Sequence, residues 1–120
     1  MIAPLRYRRH QRLLTREDFE RTYTLADRSY KTAVCAATAC RNQLEAARLG
    51  LIVGKKSLPM AVSRNRFKRI AREVFRCRQQ ELCGLDVIIM ARARANNMPP
   101  RELRASIEQL FTGLATCASS

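Results

Sequence analysis

A run of cationic side chains between residues 55 and 78 is the part of the sequence best equipped for chemistry. It holds nine basic residues and one acid, Glu73, so a fifth of the chain carries +8 of a formal net charge of +13. The basic residues are Lys55, Lys56, Arg64, Arg66, Lys68, Arg69, Arg72, Arg76 and Arg78. The planar fork of arginine binds a phosphate group through two parallel hydrogen bonds. The segment therefore predicts a binding site for a polyanion that carries phosphates.

Helical spacing would place several of these side chains in one row. At about 100° per residue, a row over about 16 Å of helix contains Asn65, Arg69, Arg72 and Arg76, with Arg66 and Lys68 on its flanks. The opposite side gathers an apolar stripe typical of a core-facing surface, which consists of Phe67, Ile70, Ala71, Val74 and Phe75. An amide such as that of Asn65 can donate and accept at a base edge or a 2′-hydroxyl. The row predicts a nucleic-acid interface.

A solvated helix surface is the alternative interpretation of such a row. Solvated surfaces normally intersperse acids among the cations, because opposite charges at i, i+4 stabilise a helix. Glu73 is the one acid available in this segment, so the repulsion between its cations is left uncompensated. Phosphate binding is the better account of the pattern.

The sequence lacks the residue sets on which most enzymes depend. His10 is the one histidine and lies among arginines, which argues against histidine metal sites and Ser/His/Asp triads. The five cysteines are odd in number and form no C-x-x-C pair, so they predict neither a disulfide framework nor a zinc ribbon. The chain also has no carboxylate cluster and no glycine-rich phosphate loop. These absences disfavour an enzyme with catalytic or metal-binding groups of its own.

Apolar runs in the chain are short. The longest, such as residues 87–91, have the length of a strand, far below the 18 or more residues of a membrane span. Arginines near the N-terminus interrupt any apolar segment of a signal peptide. We therefore expect a cytoplasmic protein with reduced cysteines, no membrane contact and no small-molecule substrate.

The patterns before the cationic segment predict one helix and two strands. Thr15 can cap a short helix in which Phe19 and Tyr23 share one face at i, i+4. Small and β-branched residues over 30–39 predict a strand, and residues 48–54 predict a second strand bounded by glycine.

The cationic helix and the elements after it complete the predicted order. Ser63 is a candidate cap for a helix that ends near Gln80. Residues 85–91 predict a strand covered on both faces. A final helix is predicted from the spacing of Leu103, Ile107, Leu110, Phe111 and Leu114. The order is α-β-β-α-β-α, with room for one further strand before the cationic helix.

We predict one folded domain with two short flanking segments. Residues 1–12 form a basic arm, residues 13–116 form an RNA-binding domain, and residues 117–120 form a short tail. At 120 residues the chain can bury one small core.

The cationic helix resembles the signature helix of a known family. The run R-N-R-F-K-R-I-A-R-E-V-F-R at residues 64–76 is similar to the pattern R-N-R-x-K-R, then R-E, then an aromatic residue and a base, in the protein subunit of bacterial ribonuclease P. Residues 48–56 resemble the strand that precedes this motif, residues 86–89 the strand that follows it, and residues 13–23 the opening helix. Four segments in the right order and spacing carry the resemblance, which covers about residues 13–114.

The resemblance implies a fold and a division of labour. The fold is an α/β (α+β) two-layer sandwich similar to a ribosomal-protein domain, with an unusual left-handed β-α-β crossover. The catalytic RNA of ribonuclease P, with its Mg²⁺ ions, removes the 5′ leader of precursor tRNA. The protein would assist as a subunit with no catalytic residue, and the sequence identifies no residue set of its own that holds a metal.

Two RNA-binding surfaces follow from the resemblance. The signature helix, together with Lys55 and Lys56, would lie near the catalytic RNA. A cleft between the first helix and the open sheet face would hold the leader, with Phe19 and Tyr23 at the aromatic positions. Core packing is the alternative role for both residues, more so for Phe19 than for Tyr23, whose hydroxyl needs solvent or a partner. The first predicted strand lacks the aromatic residues that relatives often carry there, which weakens the expected stacking platform.

Other classes of protein remain as alternatives at this point. A ribosomal or helix-turn-helix protein could use the same basic helix, although no short helix pair precedes Ser63. A protein-only nuclease would need acids that the chain lacks.

Overall fold

Three helices and a four-stranded sheet make up the fold. The structure, a computed structural model, describes residues 15–42 and 46–118, so the predicted arm at residues 1–12 and the last two residues of the predicted tail lie outside the described residues. The elements are α1 (Arg16–Thr24), β1 (Arg28–Lys31), β2 (Cys35–Arg41), β3 (Arg48–Ile52), α2 (Ala61–Cys77), β4 (Leu85–Ala91) and α3 (Pro100–Ala118), with short 3-10 helices at Gln79–Leu82 and Ala93–Asn97. The α+β class and the predicted order are confirmed, and the further strand is present.

The sheet has the strand order β1-β2-β4-β3. The β1–β2 and β2–β4 pairs are antiparallel, whereas β3 and β4 are parallel neighbours. Parallel neighbours need a crossover, and α2 supplies it between β3 and β4. That this crossover is left-handed stays a prediction from the resemblance.

The single strand predicted over residues 30–39 is wrong, because the chain turns back within it. Residue 31 ends β1 and residue 35 begins β2, and the Thr32 backbone N–H donates to the Cys35 carbonyl at 2.8 Å. The Thr32 hydroxyl also accepts from the Cys35 N–H at 3.3 Å. Threonine favours strands, but its hydroxyl can instead bind nearby backbone and close a turn.

The bounds predicted for the cationic helix need correction at both ends. The helix α2 begins at Ala61, and its N-cap is Met60, which makes no side-chain capping bond, so Ser63 lies inside the helix. Pro59 disfavours helical backbone at the residue before it, and the helix starts soon after that restriction ends. At the other end α2 stops at Cys77, and a 3-10 turn continues to Leu82, which is buried. Gly84 then takes a positive φ of 78° where the chain enters β4.

The core lies between one sheet face and the helices α2 and α3. Phe67, Ala71, Val74 and Phe75 of the predicted stripe are buried, and Ile70 packs against them. The rings of Phe75 and Phe111 lie 6.2 Å apart between centroids, within the range of favourable aromatic pairs. The predicted core residues of α3 are all buried, which confirms the phase of both helices.

The opposite sheet face is partly covered by α1. Side chains alternate between the two faces of a strand, so Asp86, Ile88 and Met90 of β4 point away from the core. Helix α1 crosses the Asp86 end of this face, where Thr22 is fully buried. Met90, at the other end of β4, is 42% exposed. We call the uncovered part the open face of the sheet.

Candidate nucleic-acid interface

Helix α2 presents its cations on the side that faces away from the core. The buried stripe fixes the rotation of the helix, so Asn65, Arg69 and Arg72 are exposed on the opposite side. Arg66 and Lys68 lie at the borders and are half-buried along their stems. The sequence-predicted row is therefore a real surface of the fold.

The turn between β3 and α2 adds two more cations beside the start of the helix. Lys55 and Lys56 are exposed on it. Leu58 anchors this turn, because its side chain is buried and its N–H donates to the Gly54 carbonyl at 3.0 Å. Arg64 braces the same turn, donating to the carbonyls of Leu58 and Pro59 at 2.9 and 2.8 Å. Arg64 is thus partly used for structure.

Six predicted cations have no hydrogen-bond or ion-pair partner among residues 15–42 and 46–118. These are Lys55, Lys56, Arg66, Lys68, Arg69 and Arg72. Arg76 differs from them, because its guanidinium group forms an ion pair with Glu73. We call the six unpartnered residues the cationic face. No acid in the described ranges compensates its charge, so it is suited to a polyanion.

Phe19 and Tyr23 lie along one flank of α1, as predicted. Phe19 is half-buried, but it belongs neither to the described core cluster nor to the side chains packed against that cluster. Tyr23 is 45% exposed, and its partial burial raises the pKa of its hydroxyl. The pair offers aromatic surface at the border between α1 and solvent, a surface that can stack bases.

A buried carboxylate fixes α1 to the sheet. Asp86 is fully buried and accepts two hydrogen bonds from Arg48, at 2.8 and 2.6 Å. Asn42 and Arg21 each donate one more, at 2.9 and 3.1 Å. Because Arg21 belongs to α1 and Arg48 to β3, this Asp86 network sets the position of the helix on the sheet, beside the open face. Its presence was missed in the sequence, although an acid inside an apolar strand is a signal, since buried acids are almost always paired.

The network keeps Asp86 charged. Burial alone would raise the pKa of Asp86, but the hydrogen bonds from Arg48, Asn42 and Arg21 and the charge of Arg48 outweigh it, so the pKa lies below the ordinary value. The hydrogen bond to Asp86 in turn raises the pKa of Arg48. The pair is ionised throughout the physiological pH range.

A second cluster of cations lies at the far end of the open face, and sequence analysis did not single it out. Two adjoining depressions there have volumes of about 390 and 410 Å³ and share Arg92 and Ala93. Arg94 lines one of them, while Lys31 and Ser57 line the other. Residues 31, 57 and 92 are distant in sequence, so only the sheet brings them together.

The described residues do not form a set of ligands for a metal ion. They contain no group of three or more His, Cys, Asp or Glu side chains placed to hold one. Both oxygens of Asp86 already accept hydrogen bonds from Arg48, which leaves a poor ligand for a cation.

Comparison with known proteins decides the family. A family model described as Ribonuclease P matches residues 7–115. The chain belongs to the ribonuclease P protein family. The ribonuclease P protein component of Alcanivorax borkumensis is 38% identical over 108 residues, which cover 90% of this chain and 89% of that relative. The component from Chromobacterium violaceum is 37% identical over 119 residues, with 99% and 98% covered.

Solved ribonuclease P proteins have the same fold. The protein from Staphylococcus aureus aligns with a TM-score of 0.78 and 30% identity, over 85% of this chain and 93% of that one. The protein from Thermotoga maritima aligns with a TM-score of 0.72 and 25% identity, over 83% and 94%. The resemblance seen in the signature helix is thereby confirmed as membership of the ribonuclease P protein family. None of the helices in the described ranges is both long and apolar enough to cross a bilayer.

Proposed function

We propose that this ribonuclease P protein binds the catalytic RNA of the enzyme and the 5′ leader of precursor tRNA, and so promotes endonucleolytic removal of the leader. The observation that carries the proposal is the cationic face, whose six side chains pair with no acid in the described part of the chain. Folded RNA offers closely spaced phosphates, and each phosphate neutralised by a lysine or arginine releases counterions. This face is the proposed contact with the catalytic RNA.

The open face of the sheet is the proposed track for the leader. Helix α1, which carries Phe19 and Tyr23, covers the other end of this side of the sheet, and Lys31, Arg92 and Arg94 line the depressions at the Met90 end. Aromatic side chains stack on any base and cations follow the backbone, so such a track binds single strands with little regard to sequence. A leader of varied sequence is the kind of substrate that this combination suits.

The chemistry belongs to the RNA in this proposal. Mg²⁺ held by the RNA subunit would activate water for attack on the phosphodiester and stabilise the leaving oxygen. The protein supplies charge and position, in keeping with a carboxylate, Asp86, that is engaged in an internal network. We place the complex in the cytoplasm, where cysteines such as the free Cys35, Cys40, Cys77 and Cys83 stay reduced.

Reconstitution tests the function directly. Precursor tRNA is incubated at low Mg²⁺ with the protein alone, with the catalytic RNA alone, and with both, and mature 5′ ends are measured. We expect cleavage to rise only in the mixture, and more for a substrate with a long leader than for one with a single leader nucleotide. Cleavage by the protein alone would contradict the proposal, and a mixture no better than RNA alone would favour a structural nucleic-acid-binding protein.

A further inference from the structure

The charge pattern of α2 changes abruptly at Glu73. Residues 55–72 contain seven cations and no acid, whereas residues 73–82 contain two cations and two acids. The net charge thus falls from +7 in the first stretch to zero in the second. The sequence-predicted row crosses this border, since Arg76 lies beyond it.

Beyond Glu73 in this direction, the acids form ion pairs with neighbouring arginines, as Glu73 itself does. Glu73 accepts from the Nε and Nη2 atoms of Arg76 at 3.2 and 2.5 Å, a fork that engages one edge of the guanidinium. Glu81 pairs with Arg78 at 2.6 Å. On α3, Glu108 lies 3.8 Å from Arg104. This corner of the molecule, unlike the cationic face, is neutralised internally.

The fork fixes Arg76 in a way that changes what it can bind. The Nε–Nη2 edge is one of the guanidinium edges that can bind a phosphate through two hydrogen bonds, and the Glu73 carboxylate occupies it. The hydrogen bond from Arg76, with added effect from the charges of Arg76 and Arg104, lowers the pKa of Glu73, so the carboxylate stays ionised at neutral pH. A phosphate that approached Arg76 would also approach this negative charge, which removes most of the attraction.

We infer that Glu73 sets the boundary of the RNA-binding surface on α2, so that the contact ends at Arg72 and Arg76 is withheld from phosphate. This inference rests on the proposed function, and it assigns a specificity role to the acid of the signature motif. An acid at the border excludes RNA paths that continue along the helix toward its C-terminal end. Glu73 therefore fixes the register of the protein on the RNA subunit, because its carboxylate repels the phosphates of an RNA bound in a shifted position.

The test is the salt dependence of binding to the in vitro transcribed RNA subunit of ribonuclease P. Each phosphate contact contributes about 0.7–0.9 to the slope of log K against log salt concentration. We expect Arg72→Ala to lower the slope by about that amount and Arg76→Ala to leave it unchanged. Glu73→Gln removes the negative charge beside Arg76 and should raise the slope by a similar amount, and the double variant Glu73→Gln/Arg76→Ala should return it to the wild-type value.

Glu81→Gln is the matched control. It makes the same change in net charge, but its partner Arg78 keeps a second bond, to the carbonyl of Glu108 at 2.8 Å. A rise in slope with Glu81→Gln equal to that with Glu73→Gln would mean that overall charge is responsible, which overturns the inference. So would a loss of slope in Arg76→Ala equal to that in Arg72→Ala, or no rise in Glu73→Gln. If neither Arg72→Ala nor Arg69→Ala lowers the slope, the proposed RNA interface itself fails, and the boundary fails with it.

Discussion

Replacing Asp86 with asparagine should destabilise the fold and loosen α1. The variant keeps the size of the side chain but removes the charge that Arg48 and Arg21 neutralise. Arg48 is the more sensitive partner, because its side chain is 16% exposed against 48% for Arg21. Asp18 remains at 3.8 Å from Arg48 and compensates part of the loss.

The exposure of the two arginines sets the expected loss of unfolding free energy. Removing one partner of a buried ion pair costs about 3–5 kcal/mol. Because Arg21 can turn to solvent and Asp18 remains, we expect the lower end, about 3 kcal/mol of unfolding free energy. For a chain of 120 residues the entropy of unfolding is roughly 0.25 kcal/mol/K, so the melting temperature should fall by about 12 °C.

Thermal and urea unfolding at neutral pH measure this loss. The control is Glu20→Gln, which removes an exposed carboxylate of the same helix that pairs with Arg16 at 3.1 Å, and which should change the unfolding free energy by less than about 0.5 kcal/mol. A loss below about 1 kcal/mol in Asp86→Asn would refute the reasoning that the network holds α1 in place. With both proteins folded, Asp86→Asn should also bind a precursor tRNA with a long leader less tightly than Glu20→Gln does.

The pH dependence of stability independently tests the direction of the pKa shift of Asp86. The pKa of Asp86 is lowered in the folded state, so its stabilisation is fully present above the unfolded pKa of about 3.9 and is lost as pH falls through the lower folded value. The stability gap between wild type and Asp86→Asn should therefore stay constant from about pH 5 to 8 and close only in stronger acid. A gap that closed between pH 7 and 5 would point to another group.

Four further substitutions test the remaining assignments. Arg69→Ala and Arg72→Ala should each reduce the salt slope of RNA binding by about 0.7–0.9 with unchanged circular dichroism, and an unchanged slope would remove them from the interface. Phe67→Ala should cost about 3–5 kcal/mol by urea unfolding, because its ring is fully buried, and an unshifted midpoint would contradict the phase of α2. Gly113→Ala would place a Cβ 2.5 Å from the Tyr30 ring, so it should destabilise by about 1–3 kcal/mol despite the helix preference of alanine. The Tyr30→Leu background should relieve much of that loss in a double-mutant cycle, and an equal loss in both backgrounds would place the cause elsewhere.

The spacing of apolar residues in the sequence predicted the features that lie within a single helix, such as its rotation and its N-cap. The stripe from Phe67 to Phe75 fixed the rotation of α2, and Thr15 caps α1 by accepting from the Asp18 N–H at 3.1 Å, as predicted. The β1–β2 hairpin was not predicted, because its turn is closed by Thr32, a residue type that also favours strands. The pair between Glu73 and Arg76 lies at i, i+3, a spacing that the sequence shows, but sequence analysis counted Glu73 only as a single acid and did not pair it with Arg76.

Contacts between distant segments could not be predicted in that way. The network around Asp86 joins residues 21, 42, 48 and 86, and only the sheet register brings Arg48 opposite Asp86. The same holds for Lys31 and Arg92, which line one depression because Ala36 of β2 pairs with both Lys31 of β1 and Met90 of β4. A single sequence gives burial patterns for each strand, but it does not give the order of the strands in the sheet.

The parallel pairing of β3 and β4 explains how both proposed RNA surfaces come to one edge of the sheet. Parallel strands end on the same side, and Ile52 pairs with Met90 near those ends. The chain leaves β3 into the turn with Lys55 and Lys56, and it leaves β4 into Arg92, so the start of α2 and the end of the leader track adjoin there. Helix α2 then runs back toward the start of β4. The C-terminal part of α2, where Glu73 neutralises Arg76, therefore lies at the opposite side of the sheet. One crossover thus supplies both a shared cationic edge and a boundary for it.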